Sequence, residues 1–234
     1  LLTDAAIFFS PDSAAHFASP GVEILDHGRL IAREVALPAP EGRWSVTVLV
    51  TIRPEPKDER SVHDRWDRAG NIRLRRAGGP DLELARFITA YGGRTEHEID
   101  ATHLAPLLRG RVTIAAFIDT WVAPAWRIDC ALRFDPDSLA DPPSWATPAF
   151  YTDSFNAREH GDGAEATVEI PAGLRRVILK LFTTGHCTDG RDADEFISKA
   201  NVVSVDGRVV HRFHPWRSDC RRFRDRNPYT TRWS

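Results

Sequence analysis

The fold of this chain is decided by the run Val112-Thr113-Ile114-Ala115-Ala116-Phe117-Ile118-Asp119. The even-numbered residues of the run are all apolar, and the odd-numbered ones are polar only at Thr113 and Asp119. Successive side chains of a strand point to opposite faces, so the pattern predicts a strand buried on both sides at the centre of a sheet. Asp119 is then expected where the strand leaves the core.

Period-two alternation dominates the rest of the chain, whereas helical periodicity is nearly absent. In residues 44–52 every second residue is apolar, which predicts a strand with one buried face. Further strand candidates are residues 21–26, 29–37, 82–90, 126–134, 165–170, 175–184, 201–205 and 208–213. Only residues 102–108 are predicted as a helical turn. Many strands joined by Gly and Pro turns predict an all-β fold of antiparallel sandwiches.

One linker divides the chain. Residues 135–143 read Asp-Pro-Asp-Ser-Leu-Ala-Asp-Pro-Pro, and this concentration of Pro and Asp is typical of a connecting segment. We therefore predict two domains, residues 1–139 and residues 140–234. No internal repeat is visible between them.

Composition narrows the possible partners. The 31 basic and 33 acidic residues give a formal net charge of -2, which argues against binding to nucleic acid through phosphate neutralisation. No apolar run is long enough to cross a bilayer, so no membrane partner is expected. Zinc-finger spacing, a phosphate loop and cofactor fingerprints are missing from the sequence, so no metal and no cofactor are expected.

The strongest candidate for chemistry is the stretch Trp66-Asp67-Arg68-Ala69-Gly70-Asn71-Ile72. A segment rich in Pro and charge precedes it, and an alternating strand pattern begins near Ile72, so Asp67 is predicted at the mouth of a strand. A rigid scaffold commonly holds binding or catalytic groups at such a position. The alternative is a surface ion pair of Asp67 with Arg68 or Arg65, which local sequence alone favours.

Further short motifs follow Trp66-Asp67-Arg68 along the chain, in two blocks. The first block contains Arg86-Phe87-Ile88-Thr89, Glu98-Ile99-Asp100, Leu107-Leu108 and Asp119-Thr120-Trp121, and the second contains Gly185-His186, Asp189-Gly190-Arg191, Asp194-Glu195 and Pro215-Trp216-Arg217-Ser218-Asp219-Cys220. In this order they resemble the peptide-N-glycosidase F family, bacterial enzymes that remove N-linked glycans from glycoproteins. The resemblance implies two jelly-roll sandwiches packed side by side, the second of them incomplete in this chain.

The same resemblance implies a function. It predicts a secreted or periplasmic hydrolase that cleaves the amide bond between asparagine and the first N-acetylglucosamine of an N-glycan, and that acts as a monomer on N-glycosylated proteins or glycopeptides. The alternative, from another class, is a carbohydrate-binding jelly-roll module without catalysis; a metal-dependent jelly-roll enzyme is a third possibility.

Site residues follow from the resemblance position by position. Asp67 and Glu195 match the two essential acids of the family, and Asp119 stands where the family has a glutamate. The implied roles are acid/base chemistry for Asp67, activation of water for Glu195 and a hydrogen bond to the sugar for Asp119. Four further residues are implied to bind substrate or to support the cleft: Trp66, Arg68, Trp121 and His186.

The three cysteines do not form a closed disulfide set. Cys130 lies in a period-two apolar pattern and is predicted to be a buried, unpaired core residue. Cys187 and Cys220 lie in loop-like sequence and are candidates for a pair, which would suit an oxidising compartment. The resemblance implies instead that the cysteine at the position of Cys220 pairs with one beyond Ser234.

Overall fold

The structure, a computed structural model, describes residues 1–39, 41–185 and 197–224. It forms two compact units, Leu1–Val168 and Glu169–Ser234. The described residues are nearly all β, with antiparallel pairing in every sheet, so the predicted fold class is confirmed. No helix among these residues is long and apolar enough to cross a membrane.

The first unit contains two sheets. Its strands are β1 (Leu2–Ile7), β2 (Glu23–Leu25), β3 (Leu30–Leu37), β4 (Trp44–Pro54), β5 (Ala69–Arg75), β6 (Leu82–Ile88), β7 (Thr95–Asp100), β8 (Gly110–Ile118) and β9 (Trp126–Pro136). One sheet has the order β1-β9-β4-β7, and the other has the order β2-β3-β8-β5-β6. The chain changes sheet at most of its turns after β3, so strands that follow each other in sequence rarely pair.

The two sheets enclose one hydrophobic core. In β4 the alternate residues Val46, Val48, Val50 and Ile52 are almost fully buried, as the period-two pattern predicts. The same core includes Ile72 of β5 and residues of β3, β6, β8 and β9. Because both sheets contribute side chains to one cluster, the unit is a sandwich.

Strand β8 occupies the centre of its sheet, between β3 and β5. Ile114, Ala115, Ala116 and Ile118 are all buried, which confirms the prediction of a strand covered on both faces. The predicted helical turn is also present, as a 3₁₀ helix over Thr102–Leu107. Strands β1 and β7 lie outside the strand candidates of the sequence.

Residues beyond the predicted linker cover the outer face of the five-stranded sheet. Tyr151 Oη accepts a hydrogen bond from Asn71 Nδ2 at 3.1 Å and another from Arg73 Nη1. The same Nη1 donates to Asp153 Oδ2 at 3.0 Å. The buried polar residues of β5 are therefore satisfied partly by a segment near residue 150.

The second unit is sparser in regular structure. Its described strands are β10 (Asn201–Val205) and β11 (Arg208–Phe213), which form an antiparallel hairpin, and the short 3₁₀ helix Arg221–Phe223 follows. A further helix, α1 (Ala157–His160), belongs to the first unit. The strands predicted over residues 165–170 and 175–184 are wrong for this structure, because no described segment provides the backbone partners that a strand requires.

Two expectations on domain organisation stay predictions. The compact units divide between Val168 and Glu169, whereas the sequence predicts a domain boundary near residue 140. The packing of the two sandwiches side by side is likewise a prediction.

Candidate active site

The segment that precedes β5 is fixed by its backbone. Arg68 N donates to Thr89 Oγ1 at 2.9 Å, and Thr89 N donates to Arg68 O at 2.9 Å. Gly70 is needed at the start of β5, because a Cβ atom there would lie 2.8 Å from Phe117 O and would overlap the Phe87 ring. Asp67 therefore lies at the mouth of a strand, as predicted, and its backbone is held next to two neighbouring strands.

Asp64 is the buried anchor of this segment. Its side chain is 1% exposed, and its two carboxylate oxygens accept hydrogen bonds from Arg68 Nε at 2.9 Å and Arg68 Nη2 at 3.0 Å. Thr120 Oγ1 donates to Asp64 Oδ2 at 2.6 Å, and Trp126 Nε1 donates to the same oxygen at 3.3 Å. Asp64 thus joins the loop before β5 to the residues after β8 and to the first residue of β9.

The charge of Asp64 is stabilised inside the sandwich. Burial by itself raises the pKa of a carboxyl group, but hydrogen bonds from Arg68 and Thr120 and the positive charge of Arg68 outweigh burial here. The pKa of Asp64 therefore lies below its ordinary value, and the carboxylate is ionised at neutral pH. The ionised form in turn holds the Arg68 guanidinium in a bidentate geometry.

Asp67 contrasts with Asp64. It is half-buried, and within residues 1–39, 41–185 and 197–224 its carboxylate has no hydrogen-bond or ion-pair partner. The alternative of a surface pair with a neighbouring arginine is wrong for this structure: Arg68 binds Asp64, and the Arg65 guanidinium lies 5.0 Å from the centre of the Trp66 ring. The described part of the chain therefore leaves the Asp67 carboxylate unoccupied.

Strand register relates Asp67 to Asp119. Gly70 pairs with Ile118, and Asp119 N donates to Ala69 O at 2.9 Å, so the ladder extends one residue past β8. Directly paired side chains share a face, and side chains alternate along a strand, so Asp119, Ala69 and Asp67 follow the same face.

The intervening residues follow the opposite face. Arg68 and Thr120 both contact the buried Asp64, which lies between the sheets. This confirms the alternation at the end of the ladder and indicates that the two candidate acids emerge on the side away from the core.

Asp119 and Trp121 contact the same arginine. Arg29 Nη1 donates to Asp119 Oδ1 at 3.3 Å, and the Arg29 guanidinium lies 4.4 Å from the centre of the Trp121 ring. Trp121 is 54% exposed and Trp66 is 46% exposed, so two large aromatic surfaces flank the strand ends. Exposed aromatic rings of this kind provide faces on which a sugar ring can stack.

Two predicted site residues, Glu195 and His186, lie outside the described residues. Their roles, and the meeting of Glu195 with Asp67 and Asp119, stay predictions. Among the described residues no group of three or more His, Cys, Asp or Glu side chains has the arrangement of a metal site. Cys130 is buried and unpaired, which confirms its predicted place in the core, and Cys220 is a free, half-buried thiol.

Sequence reasoning missed Asp64 and Arg29. Asp64 begins the segment Asp64-Arg65-Trp66-Asp67-Arg68, and the four-residue spacing between Asp64 and Arg68 is the one local signal of their pairing. The three-residue spacing between Asp26 and Arg29 is a local signal of their ion pair, but Asp119, the partner that connects Arg29 to the site, is 90 residues away in sequence.

Comparison with protein families gives two matches along this chain. Residues 72–134 match the family described as Peptide-N-glycosidase F, N terminal, and residues 154–234 match Peptide-N-glycosidase F, C terminal. Together these ranges span more than half of the chain. The segment between them, residues 135–153, contains the predicted linker.

Individual relatives agree with these families. The peptide-N(4)-(N-acetyl-beta-D-glucosaminyl)asparagine amidase F of Elizabethkingia miricola is 35% identical over 86 residues, which is 33% of this chain and 24% of that protein. The solved structure of PNGF-II aligns with a TM-score of 0.72 at 21% identity over 97% of this chain and 52% of its own. A recombinant N-glycanase F aligns with a TM-score of 0.56 at 15% identity, covering 92% and 69% of the two chains.

The two solved structures establish a shared fold. This chain spans about half the length of PNGF-II, and the matched segment spans about a quarter of the Elizabethkingia amidase.

Proposed function

This chain belongs to the peptide-N-glycosidase F family, and from that premise we propose that it hydrolyses the amide bond between asparagine and the first N-acetylglucosamine of an N-linked glycan. The reaction releases the glycan as its glycosylamine and converts Asn to Asp. The observation that carries the proposal is the Asp67 carboxylate, which has no partner among the described residues although the backbone around it is rigidly held.

Hydrolysis of a side-chain amide needs three things: a nucleophilic water, stabilisation of the tetrahedral intermediate and a proton for the departing nitrogen. Asp67 takes a proton as the water oxygen bonds to the carboxamide carbon. It returns that proton to the nitrogen as the carbon–nitrogen bond breaks. Glu195 is proposed to position this water or to activate it.

Arg68 supports this chemistry through its orientation. Its Nε and Nη2 atoms are bound by Asp64, and among the described residues Nη1 has no hydrogen-bond partner. A guanidinium that is fixed on one side presents its remaining donors in a defined direction, at low entropic cost. We propose that Arg68 supports the site by orienting a carboxylate, that of Asp64, which also binds the backbone of Trp66 and so holds the segment that carries Asp67.

The sugar is proposed to bind to three residues: Asp119, Trp121 and Trp66. Asp119 Oδ2 has no partner among the described residues and is an acceptor suited to a sugar hydroxyl or to an acetamido N–H. The exposed faces of the two tryptophans suit the apolar face of a pyranose ring. The proposed partners are N-glycosylated proteins or glycopeptides, in a secreted or periplasmic setting, with the protein acting as a monomer and His186 supporting the cleft.

One assay tests the proposal. The 234-residue chain is incubated with a denatured N-glycosylated protein, and the peptides are analysed by mass spectrometry for conversion of glycosylated Asn to Asp. The matched control is the Asp67→Asn variant, which keeps the size of the side chain. Conversion by the wild type and its loss in the variant support the proposal, whereas no conversion by the wild type contradicts it.

A second candidate function is carbohydrate binding without catalysis. The observation that favours it is the pair of exposed tryptophans, because aromatic platforms are sufficient for a binding module. Such a module would bind a chitobiose-containing glycopeptide and release no glycan. Calorimetry with that glycopeptide, run beside the mass-spectrometric assay, separates the two functions.

A further inference from the structure

Arg29 lies where three loops of the first unit converge. It follows the short 3₁₀ turn Asp26–Gly28, in which Asp26 and His27 have positive φ values of 45° and 56°. Its backbone oxygen accepts from Ile118 N at 3.1 Å, which aligns the start of β3 with the end of β8. The loops that carry Phe9 and Trp121 are joined to each other by the hydrogen bond from Phe9 N to Val122 O at 2.8 Å.

The Arg29 guanidinium contacts all three loops. Nη2 donates to Asp26 Oδ1 at 2.9 Å, and Nη1 donates to Asp119 Oδ1 at 3.3 Å. The guanidinium carbon lies 4.4 Å from the centre of the Trp121 ring and 5.2 Å from that of the Phe9 ring. The Arg29 side chain is only 18% exposed, so these contacts are formed largely out of solvent.

This arrangement restrains two side chains that are substantially exposed to solvent. Asp119 is 41% exposed and Trp121 is 54% exposed, and an exposed ion pair alone holds a side chain weakly. A cation held against an aromatic ring adds about 0.5–2 kcal/mol, depending on how far the pair is removed from water. Arg29 applies both interactions from one rigid group, which is itself oriented by Asp26.

We propose that Arg29 is a positioning residue for sugar binding. It holds the side chains of Asp119 and Trp121 in one fixed geometry. The inference rests on the proposed function. Arg29 covers one face of the Trp121 ring and occupies Asp119 Oδ1, so that the opposite ring face and Oδ2 remain for the substrate. Arg29 itself forms its contacts with these protein groups and acts on the substrate through them.

A purely structural role for Arg29 predicts a different result. In that case Arg29 only ties the turn before β3 to the sheet, and its loss lowers the fraction of folded enzyme. The apparent kcat then falls while KM stays the same, because the molecules that remain folded bind substrate normally. A positioning role predicts the reverse, since the affinity for the sugar depends on Asp119 and Trp121.

The first experiment compares three variants in the glycopeptide assay. Arg29→Met removes the charge and keeps most of the length, Arg29→Lys restores a cation, and Arg33→Met is the matched control, an exposed arginine on β3, the strand that follows Arg29. We expect Arg29→Met to raise KM about tenfold with kcat within about threefold of wild type, and Arg29→Lys to recover part of the loss. A KM within about twofold of wild type in Arg29→Met overturns the proposal.

The second experiment does not depend on catalysis. The protein is labelled with 5-fluorotryptophan, and the Trp121 signal in the ¹⁹F spectrum is assigned by its loss in Trp121→Phe. We expect Arg29→Met to shift this signal and Arg33→Met to leave it unchanged. An unchanged signal in Arg29→Met overturns the proposal. If the wild type releases no glycan, the proposed function fails, and this spectrum alone decides whether Arg29 positions Trp121.

Discussion

Asp64 and Arg68 form a bidentate ion pair next to Asp67, the candidate catalytic residue. The two nitrogen–oxygen distances are 2.9 and 3.0 Å, and the Asp64 side chain is 1% exposed. Trp66 N also donates to Asp64 Oδ1 at 3.3 Å, so the residues on both sides of Asp67 are bound to the same carboxylate. Asp67 is thereby held in place while its own side chain forms no ion pair with the described residues.

The first prediction concerns stability. Asp64→Asn keeps the shape of the side chain but removes its charge, which leaves the half-buried Arg68 guanidinium uncompensated. Breaking a buried ion pair by changing one partner typically costs about 3–5 kcal/mol, and the amide oxygen retains part of the hydrogen bonding. We expect the free energy of unfolding, measured by urea denaturation, to fall by about 3 kcal/mol.

The control for this measurement is Asp12→Asn. Asp12 is exposed, and its replacement is expected to change the free energy of unfolding by less than about 0.5 kcal/mol. Equal stability of wild type and Asp64→Asn would show that the ion pair does not hold the site together.

The second prediction concerns how the stability of the folded protein depends on pH. The pKa of Asp64 is lowered in the folded protein because the Arg68 and Thr120 interactions outweigh burial, so the unfolded chain takes up this proton first. The stabilisation is therefore complete above the ordinary Asp pKa of about 3.9 and is lost as pH falls through the lower folded value. The stability difference between wild type and Asp64→Asn should shrink over that range, and a constant difference from pH 7 to pH 3 would contradict the assignment.

The sandwich was predictable from local patterns. In residues 112–118 and in β4, apolar residues alternate at short range along the chain. The sequence of each segment is therefore enough to predict whether one or both faces of the strand are buried. The failure at residues 175–184 has the opposite cause. Apolar residues are frequent there, which favours a strand. A strand also requires a partner strand, however, and the local sequence does not indicate whether one is present.

The site was predictable only in part. Asp67, Asp119 and Trp121 could be proposed as site residues because they lie in motifs that resemble a family. Asp64 was missed because its partners Thr120 and Trp126 are 56 and 62 residues away, so their contacts exist only after the sheets have formed. A buried polar cluster of this kind is a property of tertiary packing rather than of sequence spacing.

The third prediction concerns Cys130. Burial raises the pKa of its thiol to about 12, so very little thiolate is present at pH 8, and reagents have poor access. Cys220 is half-buried and free. We expect iodoacetamide to label Cys130 in the native protein at least about tenfold more slowly than Cys220, with equal rates in urea, as read by peptide mass mapping. Equal native rates would contradict the buried position.

The fourth prediction separates the other two acids. Glu195→Gln should lower kcat if Glu195 activates the water, whereas Asp119→Asn should mainly raise KM, because its proposed role is to bind the sugar. Steady-state kinetics on one glycopeptide measures both. If kcat falls by more than about 100-fold in Asp119→Asn while KM is unchanged, Asp119 acts in the chemical step rather than in sugar binding.

Asp67 is proposed as the main acid/base group of an asparagine-linked glycan amidase. The most direct test is the rate of Asn-to-Asp conversion by wild type and by Asp67→Asn on the same denatured glycoprotein, followed by mass spectrometry, with calorimetric binding of the glycopeptide as the control for folding. This role of Asp67 predicts that the wild type releases glycan, that the rate falls by about 10² to 10⁴ in Asp67→Asn, and that the variant still binds the glycopeptide. Near wild-type conversion by Asp67→Asn, or no conversion by the wild type, would contradict it.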